Sequence, residues 1–229
     1  MILKTLLDQS SSSHILWTFP DKTIKAEELT EAIDERRQHL NCDMMSCVAV
    51  EASDNASALI WMLALDGIAD KVFLVPTSLR NSDAYPELKK LFNADITIDE
   101  EFWPQKRHGL KSNTKKTTKN LATRWVLATS GTTGTPKLIE HITRSLTKTC
   151  KIDQNKGQEY TWGLVYDPFR FAGLQVILQA LASSSHLVFA NTLSTVSEQA
   201  KFMKQHGVNS LSATPSYWRK LLMSGEMKI

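Results

Sequence analysis

Short apolar runs alternate with longer amphipathic segments along the chain. Runs rich in β-branched and aromatic residues predict strands, and these cover residues 15–18, 23–25, 47–50, 71–75, 95–98, 125–128, 138–142, 161–166, 186–190 and 209–212. Segments with apolar positions at helical spacing predict helices, and these cover residues 26–40, 54–66, 86–92, 143–154, 172–182, 194–206 and 215–223. The alternation of the two kinds of segment predicts an α/β fold.

Residues with special backbone preferences mark the ends of several predicted elements. The Phe-Pro-Asp-Lys segment at 19–22 separates two short strands and predicts a hairpin. Asp54 or Asn55 can cap the helix after the third strand, and Gly67 lies where that helix is expected to end. Pro215 occupies a favoured position for opening the last helix. Strand-helix-strand units of this kind favour parallel pairing, so we expect a layered α/β/α architecture with largely parallel sheets.

The composition permits a packed core and changes abruptly at one place. Of the 229 residues, 42% are hydrophobic, and the formal net charge is only +3. Residues 105–120 carry six lysines and arginines and no acidic residue. We therefore expect a first α/β subdomain at 1–104, a basic linker loop at 105–120 and a second α/β subdomain at 121–229.

The basic segment is not typical of a nucleic-acid site. It lacks the aromatic residues that single-strand binders interleave with their cations, so we favour a solvated connector and expect no nucleic-acid partner. Cys42, Cys47 and Cys150 have no metal-ligand spacing and indicate a reducing compartment. No stretch resembles a signal peptide or is long enough to span a membrane, so the predicted location is the cytoplasm.

The segment from Thr129 to Lys137, Thr-Ser-Gly-Thr-Thr-Gly-Thr-Pro-Lys, has the composition of a phosphate-binding loop. Gly131 and Gly134 allow the backbone to turn tightly, so that successive main-chain N–H groups can converge on an anion. Lys137 adds a positive charge, and hydroxyl groups add neutral hydrogen-bond donors. These hydroxyl groups belong to Thr129, Ser130, Thr132, Thr133 and Thr135.

The same segment differs from a P-loop. Pro136 precedes the lysine and Leu138 follows it, which breaks the Walker pattern, and the flanking segments predict strands without a helix after the loop. One interpretation is a polar hairpin turn with no ligand, and the other is a phosphate site. We favour the phosphate site, because nine such residues between two strands are more specific than a lone glycine pattern.

Residues 130–137 resemble the phosphate-binding loop of the adenylate-forming superfamily, which includes acyl-CoA synthetases, peptide-synthetase adenylation domains and luciferases. The order of elements resembles that of the family's amino-terminal region, up to the Ser-Ala-Thr-Pro-Ser-Tyr segment at 212–217. The resemblance implies an AMP-forming ligase that activates a carboxylic acid with ATP and Mg²⁺ and passes the acyl group to coenzyme A or a carrier thiol. In that case the residues from Thr129 to Thr135 together with Lys137 hold the ATP phosphates.

The resemblance covers only the first half of such an enzyme. Family members are about twice this length, and the chain contains no Tyr-Gly-x-Thr-Glu segment, no Thr-Gly-Asp segment and no lid domain with a catalytic lysine. In the family, the two segments supply ligands for magnesium and for the ribose, and the lid lysine supplies a cation for the reacting carboxylate. We therefore place no catalytic residue and no metal ligand in this chain.

We therefore expect an amino-terminal portion with little or no activity alone. The chain can be a cut piece of an enzyme, one part of a split protein or a gene remnant. The alternative function is a nucleotide-binding or interaction module that needs a separate carboxy-terminal partner or carrier protein.

The segment at 167–173, Asp-Pro-Phe-Arg-Phe-Ala-Gly, is a second candidate site. In the resembling family it helps to form the acyl-substrate pocket, usually with a histidine where this chain has Arg170. Arg170 could pair with a carboxylate or phosphate of an unusual acid substrate, with Phe169, Phe171 and Gly173 forming an apolar pocket. The alternative interpretation, in which Phe171 belongs to the core and Arg170 is a surface side chain, is equally consistent with the sequence.

Overall fold

The structure is a computed structural model of the chain, and it describes Leu3, Leu7 and residues 14–40, 46–99, 122–129 and 136–226. The strands in this part of the chain are β1 (Ile15–Thr18), β2 (Thr23–Lys25), β3 (Cys47–Val50), β4 (Lys71–Leu74), β5 (Ile96–Ile98), β6 (Arg124–Thr129), β7 (Lys137–Ile142), β8 (Thr161–Leu164), β9 (His186–Phe189) and β10 (Ser210–Leu211). The helices are α1 (Ala26–His39), α2 (Asn55–Leu65), α3 (Thr77–Arg80), α4 (Tyr85–Phe92), α5 (Thr143–Thr147), α6 (Gln154–Gly157), α7 (Phe171–Ala182), α8 (Val196–Gln205) and α9 (Pro215–Met223). All ten predicted strands are confirmed.

The predicted helix ends are also largely confirmed. Asp54 is the residue that caps α2, and its carboxylate accepts hydrogen bonds from the backbone N–H groups of Ala56 and Ser57, both at 3.2 Å. Gly67 follows α2 and has a φ of 81°, a left-handed conformation that glycine adopts without steric cost. Pro215 opens α9 as predicted.

The predicted helix at 143–154 is wrong, because the structure has two short helices, α5 and α6, with a turn and a non-helical stretch between them. Side chains of α7 bind the backbone of this region and replace helical hydrogen bonds. Gln179 Oε1 accepts from Lys151 N at 3.0 Å, and Gln179 Nε2 donates to Lys151 O at 3.2 Å. Gln175 Nε2 donates to Leu146 O at 2.7 Å. The helical spacing of the sequence is thus overridden by contacts with a distant element.

The strands form two five-stranded sheets, in the orders β5-β3-β4-β6-β7 and β10-β8-β9-β1-β2. Six of the eight strand pairs are parallel, and the antiparallel pairs are the hairpins β1-β2 and β6-β7. The predicted α/β fold with largely parallel sheets is confirmed. Both sheets have the same plan, in which three parallel strands joined by helices pair with the first strand of a hairpin.

The strand pairing divides the chain at different places from the predicted subdomain boundaries. One compact unit contains Met1–Lys4 and Thr30–Ser145, and the other contains Thr5–Leu29 and Leu146–Ile229. Hairpin β6-β7 lies in the first sheet because β6 pairs with β4, whereas hairpin β1-β2 lies in the second sheet because β1 pairs with β9. Such pairings join distant segments, so neighbourhood along the chain does not reveal them. The predicted linker at 105–120 lies outside the described residues.

The first unit is built around α2, which contacts β3 and β4 and is buried at ten of its positions. The other face of the first sheet packs against α4, where Phe73 and Val126 of the strands meet Tyr85 and Leu88 of the helix. Because consecutive parallel crossovers are right-handed, the connections after β3 and β4 leave toward opposite faces of the sheet.

The second unit repeats this arrangement with α7 against β8 and β9, and with α8 and α9 packed together. Gly163 on β8 lets α8 approach closely, because a Cβ atom there would lie 2.6 Å from Met203 Sδ. No helix in the described ranges is long and apolar enough to cross a membrane.

Candidate functional site

Of the residues predicted to hold phosphate, Thr129 and Lys137 are the two that the structure describes, and they lie opposite each other. Thr129 is the last residue of β6 and Lys137 the first of β7, and they are register partners. Thr129 Oγ1 donates to Lys137 O at 3.3 Å, and both residues are exposed. The structure therefore brings a hydroxyl and an ammonium group to one end of a hairpin. Residues 130–135 lie outside the described part.

The loop leaves the sheet at the edge where ligands commonly bind in α/β proteins. Strands β3, β4, β5 and β6 are parallel, so their carboxyl ends share one edge, and the turn from β6 to β7 is at this edge. The connections after β3 and β4 diverge there, which makes their junction a topological switch point. The candidate loop follows β6, the strand adjacent to β4, and thus lies next to this switch point.

Two charged residues that the sequence analysis missed also lie at this edge. Glu51 directly follows β3, and its carboxylate pairs with Lys89 Nζ at 3.0 Å with only 12% of its side chain exposed. Arg80 of α3 donates from Nη1 to the backbone carbonyl of Glu51. The position of Glu51 immediately after a predicted strand was the available signal, whereas Arg80 had none. These contacts tie the segments after β3 and β4 together and fix the edge beside the loop.

Tyr85 lies against this pair of segments. Burial, together with the nearby carboxylate of Glu51, raises the pKa of the Tyr85 hydroxyl well above its usual value of about 10. Lys89 Nζ lies 5.7 Å from the centre of the Tyr85 ring, within cation-π distance. The group therefore stays a neutral phenol, and we assign it a packing role.

The second candidate segment, at 167–173, connects β8 to α7 in the second unit. Phe169 is buried with 1% of its surface exposed, whereas Phe171 is 50% exposed on the first turn of α7. Asp167 Oδ1 accepts from Phe169 N at 2.9 Å, which fixes the turn. A Cβ atom at Gly173 would lie 2.1 Å from the Asp167 carbonyl oxygen, so backbone packing alone requires this glycine.

Arg170 occupies the N-cap position of α7 and is partly exposed. Its side chain makes no capping hydrogen bond, and the first turn of α7 has no acidic residue. The segment also lies at a switch point, since β8 and β9 are adjacent and their connections diverge. Arg170 and the residues of the phosphate loop belong to different units.

The Ser-Ala-Thr-Pro-Ser-Tyr segment at 212–217 forms the start of α9. Thr214 caps the helix by accepting from Tyr217 N at 3.2 Å. Tyr217 donates its hydroxyl to Gln199 Oε1 at 2.6 Å, and Gln199 Nε2 donates to Leu193 O at 2.9 Å. Burial raises the pKa of Tyr217 to about 12. This chain of bonds links the segments after β9 and β10 at the carboxyl edge of the second sheet.

The described residues at this end of the hairpin suit an anion. An exposed hydroxyl and an exposed ammonium group at one end of a hairpin suit phosphate oxygens. Across the described ranges, no group of three histidine, cysteine, aspartate or glutamate side chains could hold a metal ion. Mg²⁺ usually keeps several waters and binds through substrate phosphates and one or two carboxylates.

Comparisons with known proteins agree with this arrangement. The family model described as AMP-binding enzyme matches residues 6–228. Comparison with curated protein sequences found no significant match.

Several solved structures share the fold. The O-succinylbenzoate coenzyme A synthetase MenE of Bacillus subtilis, in complex with ATP and magnesium ion, has 15% sequence identity and a TM-score of 0.69, and the match covers 96% of this chain and 65% of that chain. The N-terminal subdomain of Klebsiella oxytoca NpsA, in complex with 3-hydroxybenzoyl-AMSN, has 19% identity and a TM-score of 0.72, with 91% and 58% covered. NpsA-ThdA, an artificially fused adenylation-PCP di-domain from the same organism, has 18% identity and a TM-score of 0.72, with 92% and 47% covered.

The chain thus spans less than two thirds of the length of these structures. At these identities the likeness establishes the fold, and it agrees with the amino-terminal region of an adenylation enzyme. The family match extends over nearly the whole sequence and includes the hairpin that carries Thr129 and Lys137. The chain belongs to the AMP-binding enzyme family.

Proposed function

We propose that the chain is the amino-terminal part of an AMP-forming ligase and supplies its ATP phosphate site. In the proposed reaction a carboxylate oxygen of the acid substrate attacks the α-phosphorus of ATP. The bond to the β-phosphate breaks, pyrophosphate leaves, and an acyl adenylate forms. The acyl group then passes to the thiol of coenzyme A or a carrier protein, with release of AMP. MenE and NpsA-ThdA, by their descriptions, motivate these two kinds of acceptor.

The proposed role of this chain is binding and electrostatic support. The hydroxyl and backbone donors of 129–135 would hold the β- and γ-phosphates, and Lys137 would offset their negative charge. Mg²⁺, when bound with ATP, would neutralise further phosphate charge. We assign no catalytic residue to the chain, and the cytoplasmic location remains a prediction.

A comparison of the two hairpins carries the proposal. In the second sheet β1 and β2 are joined by residues 19–22, with Phe19 N donating to Lys22 O at 2.7 Å. In the first sheet, the hairpin at the corresponding place has the longer connection 130–136, rich in glycine and hydroxyl groups. Since the fold is satisfied by a short turn, the longer loop supports a ligand-binding role over a plain turn.

The direct test is ATP binding by the 229-residue chain with Lys137→Ala. Loss of one charge-assisted contact to phosphate should weaken ATP binding by roughly 10- to 100-fold, because such bonds contribute about 1.5–3 kcal/mol. The matched control is Lys22→Ala, which removes the lysine from the connection of the other hairpin and should leave ATP affinity unchanged. Calorimetric titration measures both. Equal affinities for Lys137→Ala and the parent chain would contradict the assignment, as would parental pyrophosphate exchange by the variant in a full-length ligase.

For the acid substrate, we propose that 169–173 contributes to the pocket, with Arg170 facing an anionic group of the substrate. Support comes from its place at the carboxyl edge of β8, with Phe171 half-exposed beside it. The competing interpretation, a surface arginine, is distinguished by Arg170→Ala in a full-length ligase. A substrate role raises the KM for the acid with no change in the KM for ATP, whereas a surface role changes neither.

The alternative function is an interaction module that requires a carboxy-terminal partner. One observation favours it: Leu222 and Met223 of α9 are 52% and 81% exposed, and β10 lies at the edge of the described sheet. Exposed apolar side chains and an unpaired sheet edge are each typical of a docking surface. Pyrophosphate exchange by the isolated 229 residues would argue against this version, because the chain would then need no partner for adenylate formation.

A further inference from the structure

The strand that leads out of the candidate phosphate-binding loop, β7, is held less firmly than its neighbours. It is the last strand in the order of the first sheet, so among the described strands it pairs with β6 alone. Four of its six residues are exposed, and Leu138 and His141 are partly buried. His141 is near the far end of β7, whereas Leu138 directly follows Lys137. At the end next to the loop, the apolar contact of β7 is therefore made by Leu138.

Leu138 packs against a hydrophobic cluster that joins the first sheet to α4. The buried members of this cluster include Val126 and Ala128 of β6 and Tyr85 and Leu88 of α4, and we call these four residues the α4 cluster. Ala128 is also the register partner of Leu138, so the two side chains lie on the same face of the sheet. Leu138 thus connects the start of β7 to a helix as well as to its partner strand.

The helix that supports Leu138 is itself fixed at the carboxyl edge of the first sheet. Lys89 of α4 pairs with the carboxylate of Glu51, which directly follows β3, at 3.0 Å. Glu51 N in turn donates to the carbonyl oxygen of Ile98 at the end of β5, at 2.7 Å. Tyr85 and Leu88 are buried, so α4 cannot move away from the sheet without exposing them. The α4 cluster is therefore a firm support for a side chain that packs on it.

The two ends of the phosphate-binding loop differ in how they are held. β6, which leads into the loop, pairs with both β4 and β7, and four of its six residues are buried. β7 depends on β6 and on the contact of Leu138. Lys137 is exposed and lies at this less firmly held end. The place of its ammonium group therefore depends on how well the backbone beside it is fixed.

We propose that Leu138 is a positioning residue for ATP binding, which fixes the backbone of Lys137 so that its ammonium group meets the phosphates. This inference rests on the phosphate site proposed above. A backbone that is ordered before binding loses less conformational entropy when the ligand binds, so the affinity is higher. Successive side chains of a strand point to opposite faces, so Leu138 acts through the shared backbone and not through contact with ATP.

A double-mutant cycle in the 229-residue chain tests this role, with ATP affinity measured by calorimetric titration. The four chains are the parent, Leu138→Ala, Lys137→Ala and the variant with both changes. Leu138→Ala should weaken ATP binding by about fivefold in the parent chain, and by less than about 1.5-fold when residue 137 is already alanine. The effect should disappear because a residue that acts through Lys137 then has no charge left to position.

The matched control is Phe92→Ala, at the end of α4. Phe92 is a partly buried side chain that packs against the same cluster, and its ring centre lies 5.3 Å from that of Phe73. Its removal should lower the free energy of unfolding at least as much as Leu138→Ala, because a larger apolar side chain is lost. ATP affinity should nevertheless stay at the parental value. If Leu138 served general stability alone, both variants would weaken ATP binding.

A second measurement does not depend on ATP. The backbone order parameter of Lys137 in the ATP-free chain, from NMR relaxation, should be about 0.85 in the parent and in Phe92→Ala, and below about 0.7 in Leu138→Ala. Leu138→Met conserves the apolar volume and should restore both the order parameter and the ATP affinity. If Leu138→Ala does not fold, Leu138→Val takes its place, with smaller changes in the same direction.

The outcomes separate this inference from the proposed function. If Lys137→Ala keeps parental ATP affinity, or if the parent chain does not bind ATP, the phosphate site is wrong and the positioning role is overturned with it. If Lys137→Ala weakens binding but Leu138→Ala does not, or does so equally with and without Lys137, the positioning role alone is overturned. An unchanged order parameter of Lys137 in Leu138→Ala would also overturn it.

Discussion

The two sheets of this protein share one plan but use their hairpins differently. In each sheet three parallel strands pair with the first strand of a hairpin, and the hairpin closes at the carboxyl edge. Hairpin β1-β2 has a short connection with the aromatic Phe19 buried in the core. Hairpin β6-β7 has a longer connection of glycine, serine and threonine followed by an exposed lysine. The difference indicates that the fold sets the position of the β6-β7 loop, whereas the composition of this loop is suited to binding a ligand.

Two connections at corresponding places, the one after β3 and the one after β8, also differ. After β3, the start of α2 is capped by the side chain of Asp54. The segment after β8 has no capping side-chain bond and relies on the close approach of Gly173 to the Asp167 carbonyl. The same plan is thus stabilised by a polar cap in one unit and by backbone packing in the other.

The strongest test of the comparison replaces residues 130–136 with a four-residue turn, Ser-Pro-Asp-Gly. Register partners Thr129 and Lys137 correspond to Thr18 and Thr23 of the other hairpin, so the shorter turn can close the same strands. We expect ATP affinity to fall by more than about 100-fold, because several phosphate contacts are lost together. The unfolding temperature should change by less than about 4 °C. Calorimetric titration and thermal unfolding measure these effects.

The control for this replacement is a change in the other hairpin. Pro20→Gly together with Asp21→Gly alters exposed positions of the short connection and should leave ATP affinity as it is. If the four-residue turn in β6-β7 retained ATP affinity, the loop would be a plain connection and the difference between the hairpins would have no functional meaning.

The next largest effect is expected for Gly173→Ala. The new Cβ atom would meet the Asp167 carbonyl oxygen at 2.1 Å, so the backbone of the β8-α7 connection must shift. Forced overpacking of this kind lowers the free energy of unfolding by about 2–3 kcal/mol. Denaturant unfolding measures the change, and Ala172→Gly serves as a neighbouring control. An unchanged stability for Gly173→Ala would show that the connection has room to relax.

A smaller effect is expected for Asp54→Ala in the first unit. The substitution removes the carboxylate that accepts from Ala56 N and Ser57 N at the start of α2. Loss of an N-cap of this type costs about 1 kcal/mol of unfolding free energy. Asp54→Asn is the matched control and should recover most of the loss, since its side-chain oxygen can accept the same bonds. If Asp54→Asn lost as much unfolding free energy as Asp54→Ala, the negative charge of Asp54, rather than its capping hydrogen bonds, would be what stabilises the start of α2.

The smallest effect is expected for Glu140→Gln on β7. Glu140 pairs with Lys71 and, at 3.3 Å, with Arg124 Nη1, and the contact with Lys71 lowers the pKa of its carboxyl group. Stability from these pairs is present above the usual carboxyl pKa and lost as the pH falls below it. Because the three side chains are partly exposed to solvent, the change at neutral pH should be less than about 0.5 kcal/mol and should vanish at high salt. A loss above about 1 kcal/mol in urea unfolding would contradict this estimate.

Much of the fold could be predicted from the sequence because the signals are local. Strand residues such as those of 47–50 and 187–189 are continuous apolar runs, and Asp54, Gly67 and Pro215 mark helix ends through their own backbone preferences. The predicted helix at 143–154 failed for a non-local reason, since Gln175 and Gln179 of α7 hold the backbone of the preceding segment.

The candidate site likewise has features that the sequence predicts and features that only the structure shows. Sequence composition identified Thr129 and Lys137, because glycines, hydroxyls and a lysine between two strands are a local pattern. It could not establish that they are register partners, nor that Glu51 and Arg80 lie at the same edge of the sheet. In the second candidate segment, sequence pattern alone could not distinguish the buried Phe169 from the half-exposed Phe171.

By itself the sequence determined the order of strands and helices, the chemistry of the loop from Thr129 to Lys137 and the resemblance to adenylate-forming enzymes. Only the tertiary structure decided which hairpin joins which sheet, because β6 reaches β4 and β1 reaches β9 across long stretches of chain. It also decided that His186 lies within hydrogen-bond distance of Thr18 on β1 and is the register partner of Thr161 on β8. The physical reason is that backbone preference and amphipathic spacing act over a few residues, whereas strand pairing and burial depend on contacts between segments far apart in sequence.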